Sequence, residues 1–162
     1  MADQITVLQL VLNQLHLGNS ISTIDERIAL QKVVCLTQEA GLQLGYGFNW
    51  YVRGPYSPAL ASDYYQLAGA RGDVEAQAQQ FILTETAQAA VDKVARVLNP
   101  PAGTPLDRVR WLELVASISF LTKRYRLSLE ATRQKIQTSK PTLAPYFDSA
   151  VGSLNQAGFA LG

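Results

Sequence analysis

A chain with one histidine and one cysteine has few routes to covalent or metal chemistry. His16 is the only imidazole, so any Ser-His-Asp or Cys-His centre must use it as base. It stands near the end of an apolar-periodic segment, where a cation is favourable, with no nucleophile or carboxylate near it in sequence. Cys35 stands among Val33, Val34 and Leu36 and reads as a buried helix cysteine rather than a reactive thiol. A Cys/His zinc site and an intrachain disulfide are both ruled out. The carboxylate pairs Asp25/Glu26 and Asp73/Glu75 have no companions at metal-ligand spacing. Gly45-Tyr46-Gly47 lacks the further glycine and lysine of a phosphate loop. No catalytic constellation, cofactor site or metal site follows from these residues, and the expectation is a protein that is not an enzyme. An enzyme would need His16 or a carboxylate cluster assembled by the fold.

Two stretches have a composition suited to binding. Tyr51-Val52-Arg53-Gly54-Pro55-Tyr56-Ser57 reads either as a presented loop or as a turn whose tyrosines pack the core. As a presented loop, it offers Arg53 and Tyr56 to an anion or a peptide. Lys123-Arg124-Tyr125-Arg126, extended by Arg133, Lys135 and Lys140, holds six cations with Glu130 as the only acid between 123 and 140. Three readings stay open here: a solvated helix end, a docking face for an acidic protein, or a phosphate-binding face with Tyr125 stacking on a base.

The elements that must position these residues follow from composition and periodicity. The 162 residues carry 48% hydrophobic and 17% charged side chains, enough for a real core and too apolar for a disordered chain. Formal net charge is +1, but residues 1–103 hold six basic and nine acidic side chains and residues 104–162 hold eight and four. The division falls at Asn99-Pro100-Pro101-Ala102-Gly103, which cannot continue a helix. The expected organisation is a core over residues 1–99 and a helical extension over 104–162 packed on it, with one undivided domain as the alternative.

Helices are expected over 5–17, from Thr23 to about Gly41, from Ser57-Pro58 to about Ala70, and from Thr84 or Thr86 to Leu98. Further helices are expected after Thr104-Pro105, after Ser128 and after Lys140-Pro141. Residues 46–52 are aromatic and β-branched and predict a strand, followed by a turn at 53–56. Phe81-Ile82-Leu83-Thr84 predicts a second strand, the return arm of a hairpin near 71–84. The fold class is α+β, mostly α, with a winged-helix-like N-terminal core in which the helix after Ser57 takes the recognition position. Residues 57–70 contain Asp63 and no Lys or Arg, a poor endowment for DNA. The N-terminus opens on Asp3 and Gln4 rather than a basic stretch, and no run of about 18 apolar residues exists, so a cytoplasmic protein without membrane contact is expected.

Three stretches resemble a known family. They are Arg27-Ile28-Ala29-Leu30-Gln31-Lys32-Val33-Val34-Cys35-Leu36-Thr37-Gln38, then Tyr46-Gly47-Phe48-Asn49-Trp50-Tyr51-Val52-Arg53-Gly54-Pro55-Tyr56-Ser57-Pro58-Ala59-Leu60, then Asp63 and Leu67. Together they resemble the YwgA-like bacterial proteins and, more distantly, the Panacea antitoxin domain. Phe81-Ile82-Leu83-Thr84-Glu85-Thr86 continues the similarity, and Trp111-Leu112-Glu113-Leu114-Val115-Ala116-Ser117-Ile118 is similar to a helix found after that core in some members. The resemblance implies a winged-helix-like core, no catalytic activity and a role in binding a protein, such as a toxin or a subunit of a bacterial defence or stress system. Candidate contacts are Arg53, Tyr56, Lys123, Arg124, Tyr125, Arg126, Arg133 and Lys135. A DNA-binding winged-helix regulator is the alternative.

Overall fold

Side chains that cap helix ends set most of the element boundaries. The computed structural model describes residues 2–161. Helix α1 spans Gln4–Gln14, with the Asp3 carboxylate accepting from the Thr6 amide at 2.8 Å. Helix α2 spans Ile24–Glu39 and opens with a complete capping box. Thr23 Oγ1 accepts from the Glu26 amide at 3.1 Å, and Glu26 Oε1 accepts from the Thr23 amide at 3.0 Å. Ser57 caps α3 (Pro58–Gly69), Thr84 caps α5 (Glu85–Val97) and Ser128 caps α7 (Leu129–Ser139). The proline at the first position of α3 loses no hydrogen bond there. Helix α6 spans Arg108–Lys123 and is capped by Asp107, not by Thr104: the segment Thr104-Pro105-Leu106 stays outside the helix. A short 3-10 turn at Ala144–Tyr146 leads into α8, Phe147–Ala157.

The sheet is smaller than the sequence suggests and lies elsewhere. Strand β1 is only Asn49–Tyr51 and pairs antiparallel with β2, Gly54–Tyr56, in the register Asn49 to Tyr56 and Tyr51 to Gly54. Val52 and Arg53 form the two-residue loop between them. The Gly-Pro-Tyr segment is therefore the return strand itself and not merely a turn. The hairpin expected near 71–84 does not form. Residues Arg71–Ala78 are helix α4, and Phe81–Thr84 is irregular, with Ile82 93% exposed. Seven of the eight residues of α4 tolerate a helix, and α4 packs on α1. Asn19, just beyond α1, donates to Glu75 at 3.0 Å and accepts on its carbonyl from Arg71 at 3.2 Å. Phe81–Leu83 has β propensity but no partner strand, and propensity without pairing builds no sheet.

The architecture is mostly helical with this one two-stranded ribbon. Helix α6 is the centre. Trp111 through Thr122 are all buried, as for a helix that is covered on every side. Its main partner is α2. One core cluster joins Val11 of α1, Val33 and Leu36 of α2, Val91 and Val94 of α5, seven residues of α6 including Trp111 and Leu121, Ile136 of α7 and Leu154 of α8. The Pro100-Pro101 break is present, but this cluster draws on residues from both sides of it. A second cluster sits between α1, the other face of α2 and α3, around Leu8, Leu12, Val34, Tyr46, Leu60 and Leu67. Trp111, fully buried, donates its indole N–H to the Val97 carbonyl at 2.9 Å. Among the described residues, no helix is long and apolar enough to cross a membrane.

Candidate functional site

A ribbon with three residues in each strand is marginal on its own and needs outside anchors. It has them from α2, α6 and the end of α7. Lys32 of α2 donates to the Pro55 carbonyl at 2.8 Å, and Lys140, which ends α7, donates to the Val52 carbonyl at 3.1 Å. Lys140 also pairs with Glu113 of α6 at 2.8 Å, both side chains being almost fully buried. Gln31 grips the start of α3 with both ends of its amide, donating to the Ser57 carbonyl at 3.0 Å and accepting from the Ser57 amide at 2.9 Å. The Trp50 amide donates to the Tyr125 hydroxyl at 3.2 Å, and the Lys135 and Lys140 ammonium groups lie 5.5 and 5.4 Å from the Trp50 ring centre.

Gly54 is where ribbon and α6 come closest. Its φ is +91°, and a Cβ there would stand 2.6 Å from Ser117 Oγ. That hydroxyl is buried and has no hydrogen-bond partner among the described residues.

The outer side of the ribbon, α2 and α3 enclose a cleft of about 400 Å³. Its lining holds the tyrosines Tyr51, Tyr56, Tyr64 and Tyr65, the aliphatic Ile24 and Val52, and the cations Arg27, Lys32 and Arg53. It holds no Asp or Glu. Tyr51 and Tyr56 meet edge to face with centroids 5.3 Å apart, and Tyr64 and Tyr65 lie tilted at 5.2 Å. Lys32 is 1% exposed. Burial lowers its ammonium from 10.5 to about 8, with Lys140 and Arg53 adding to the effect and Cys35 and Glu113 opposing it. Burial also raises Tyr64 above the ordinary phenol range.

The structure scatters the eight residues singled out from sequence. Arg53 and Tyr56 share the cleft, Arg53 exposed and Tyr56 half-buried. Lys123 donates to the Glu39 carbonyl at the end of α2, and Arg124 pairs with the Glu39 carboxylate at 3.1 Å. Tyr125 stacks against Phe120 at 5.0 Å and supports β1, as does Lys135. Arg133 pairs with Asp148 at 2.6 Å and Glu130 at 3.7 Å, and its guanidinium lies 4.6 Å from the Phe147 ring centre. Arg126 is exposed, at φ 56°, with no ion pair among the described residues. The cations from 123 to 140 thus take partners on α2, α8 and the ribbon.

Residues that the sequence reading does not single out as contacts carry much of the site: Arg27, Gln31, Lys32, Tyr64, Tyr65, Glu113 and Ser117, together with Lys140 from the basic stretch. The available signal was polar residues inside apolar helices. Gln31-Lys32 interrupts Leu30 and Val33, and Glu113 and Ser117 stand four apart in the stretch 111–121, whose other residues except Ser119 are apolar.

The other chemical candidates stay apart. His16 is exposed past the end of α1. Cys35 is fully buried, and burial pushes its thiol well above the ordinary range. Asp25 pairs with Arg110 at 3.3 Å, and Asp73 lies in the first turn of α4. No group of three or more His, Cys, Asp or Glu side chains among the described residues is placed to hold a metal ion. Comparison with protein-family models, curated proteins and solved structures returns no match.

Proposed function

We propose that this chain is a non-catalytic protein-interaction module, antitoxin-like or an accessory subunit of a bacterial defence or stress system, acting in the cytoplasm. The observation that carries this reading is the clustering of exposed apolar side chains. Seven large hydrophobic residues are exposed among the described residues, and four of them, Ile24, Tyr51, Val52 and Tyr65, line the cleft between the ribbon, α2 and α3. Scattered exposed apolar residues need no explanation, whereas a concentration around a concave, tyrosine-rich opening is what an interface core looks like before it is covered. A winged-helix-like N-terminal part remains a proposal resting on two helices, a two-stranded flap and a third helix, with the flap before α3 and helix α4 in place of the hairpin expected after it.

The alternative, a DNA-binding regulator, has less support. Helix α3 has no Lys or Arg, and most cations of 123–140 are engaged within the chain.

The test is affinity capture from the native host with and without nuclease, using the wild-type chain and Val52→Asp in parallel. Val52 is 92% exposed in the ribbon loop, so this change leaves the fold intact. The proposal requires a stoichiometric protein that survives nuclease and is lost with Val52→Asp. Capture that is nuclease-sensitive, or indifferent to Val52→Asp, refutes it.

A further inference from the structure

The cleft's charge is one-sided, and that says what should fill it. Arg27, Lys32 and Arg53 line it, and none of the three takes part in an ion pair among the described residues. Of the eleven other lysines and arginines, Arg110, Arg124, Arg133 and Lys140 have carboxylate partners. The acids nearest the cleft in the chain are committed elsewhere: Asp25 to Arg110, Glu26 to the α2 cap, and Asp63 to the Tyr46 hydroxyl at 2.7 Å. Arg27 donates only to the Ile21 carbonyl, at 2.8 Å, and Lys32 only to the Pro55 carbonyl. An ammonium has three donors and a guanidinium five, so both keep donors to offer. Around these cations the lining is tyrosine and aliphatic carbon, which suits an apolar side chain.

We propose that the cleft binds a peptide segment of a partner protein in which an Asp or Glu side chain adjoins an aromatic or aliphatic one, the carboxylate meeting Arg53 and Arg27 and the apolar group entering between Tyr51, Tyr56 and Tyr65. This rests on the protein-interaction reading above and names the chemistry of the partner. A volume of about 400 Å³ accommodates a few side chains rather than a folded surface. The walls are held before binding by Lys32, Lys140 and Gln31, so little ordering is needed on association. Carboxylates in such a setting gain from charge-assisted bonds that are shorter and stronger than neutral ones.

The experiment is selection of random 12-residue peptides displayed on phage against the immobilised full-length chain, with subtraction on Val52→Asp. Recovered peptides are then synthesised and titrated. The expected result is enrichment of Asp or Glu next to Trp, Phe, Tyr, Leu or Ile. Affinity should fall several-fold with Arg53→Gln, about tenfold or more with Arg53→Glu, and progressively as salt is raised. Peptides that need Val52 but lack an acid, or that ignore Arg53→Glu, overturn this inference and leave the interaction reading standing. If no peptide distinguishes wild type from Val52→Asp, both fall. Self-association in sedimentation velocity that disappears in Val52→Asp would assign the cleft to a second copy and overturn the inference.

Discussion

Lys32 should be a residue that the fold carries at a loss, and replacing it with methionine tests that. The methionine side chain matches the length of the lysine stem and has no charge to desolvate. The fall of the ammonium from 10.5 to about 8 corresponds to about 3 kcal/mol of penalty at neutral pH, at roughly 1.4 kcal/mol for each tenfold change. Against this, the Pro55 carbonyl loses its 2.8 Å donor, a loss of about 1–3 kcal/mol for a buried acceptor. The two effects nearly cancel. Lys32→Met is therefore expected to lie within about 2 kcal/mol of wild type at pH 7.

The pH dependence has a definite sign. The folded value lies below the unfolded one, so between pH 8 and 10.5 the unfolded chain holds the extra proton, and wild-type stability rises with pH. Below pH 8 the penalty is fully present. Urea denaturation of both chains at pH 7 and pH 10 should show wild type gaining about 2–3 kcal/mol on the variant. Glu113, Lys140, Arg53 and Cys35 face Lys32 and are present in both chains. A difference that is independent of pH, or a variant destabilised by more than about 4 kcal/mol throughout, would refute the reasoning and make the charge itself a stabilising element.

Two further outcomes follow from local geometry. Gly54→Ala should lower stability by about 2–4 kcal/mol, because it adds strain at φ +91° to a 2.6 Å approach to Ser117 Oγ. In a Ser117→Ala background the loss should shrink, and an equal loss in both backgrounds in thermal unfolding would disprove the contact. Arg124→Ala leaves the Glu39 carboxylate, 3% exposed and already raised by burial, with less compensation. The variant should be about 1–3 kcal/mol less stable at pH 7. Losing Arg124 raises the folded carboxyl further, so this deficit grows as pH rises through the carboxylate range. Chemical unfolding followed from acid to neutral pH should show it, and a deficit that is constant with pH would rule it out.

Local signals were written plainly in the chain. Thr23 with Glu26, Ser57 with Pro58, and Ser128 begin helices because a side-chain oxygen three residues before an amide satisfies it whatever the rest of the molecule does. The aromatic stretch after Tyr46 was legible as a strand for the same local reason, although only Asn49–Tyr51 pairs. The hairpin expected near 71–84 rests on strand propensity at Phe81–Thr84, and propensity says nothing of a partner strand. Among the described residues there is none, and the preceding residues pack as α4 on α1.

The basic stretch shows the limit most clearly. Lys123, Arg124, Arg133 and Lys140 look like one charged face in sequence, yet their partners Glu39, Asp148, Glu113 and the Val52 carbonyl lie between 15 and 88 positions away. Helix capping and the break at Pro100-Pro101 were determined by the sequence itself, since each depends on residues a few positions apart. Which cations stay unpaired, which polar side chains are buried, and that Arg27, Lys32 and Arg53 face one tyrosine-lined cleft were decided only by the tertiary structure. Ion pairing, desolvation and concavity are properties of neighbours in space, and α2, the ribbon and α3 become neighbours only when the chain closes around α6.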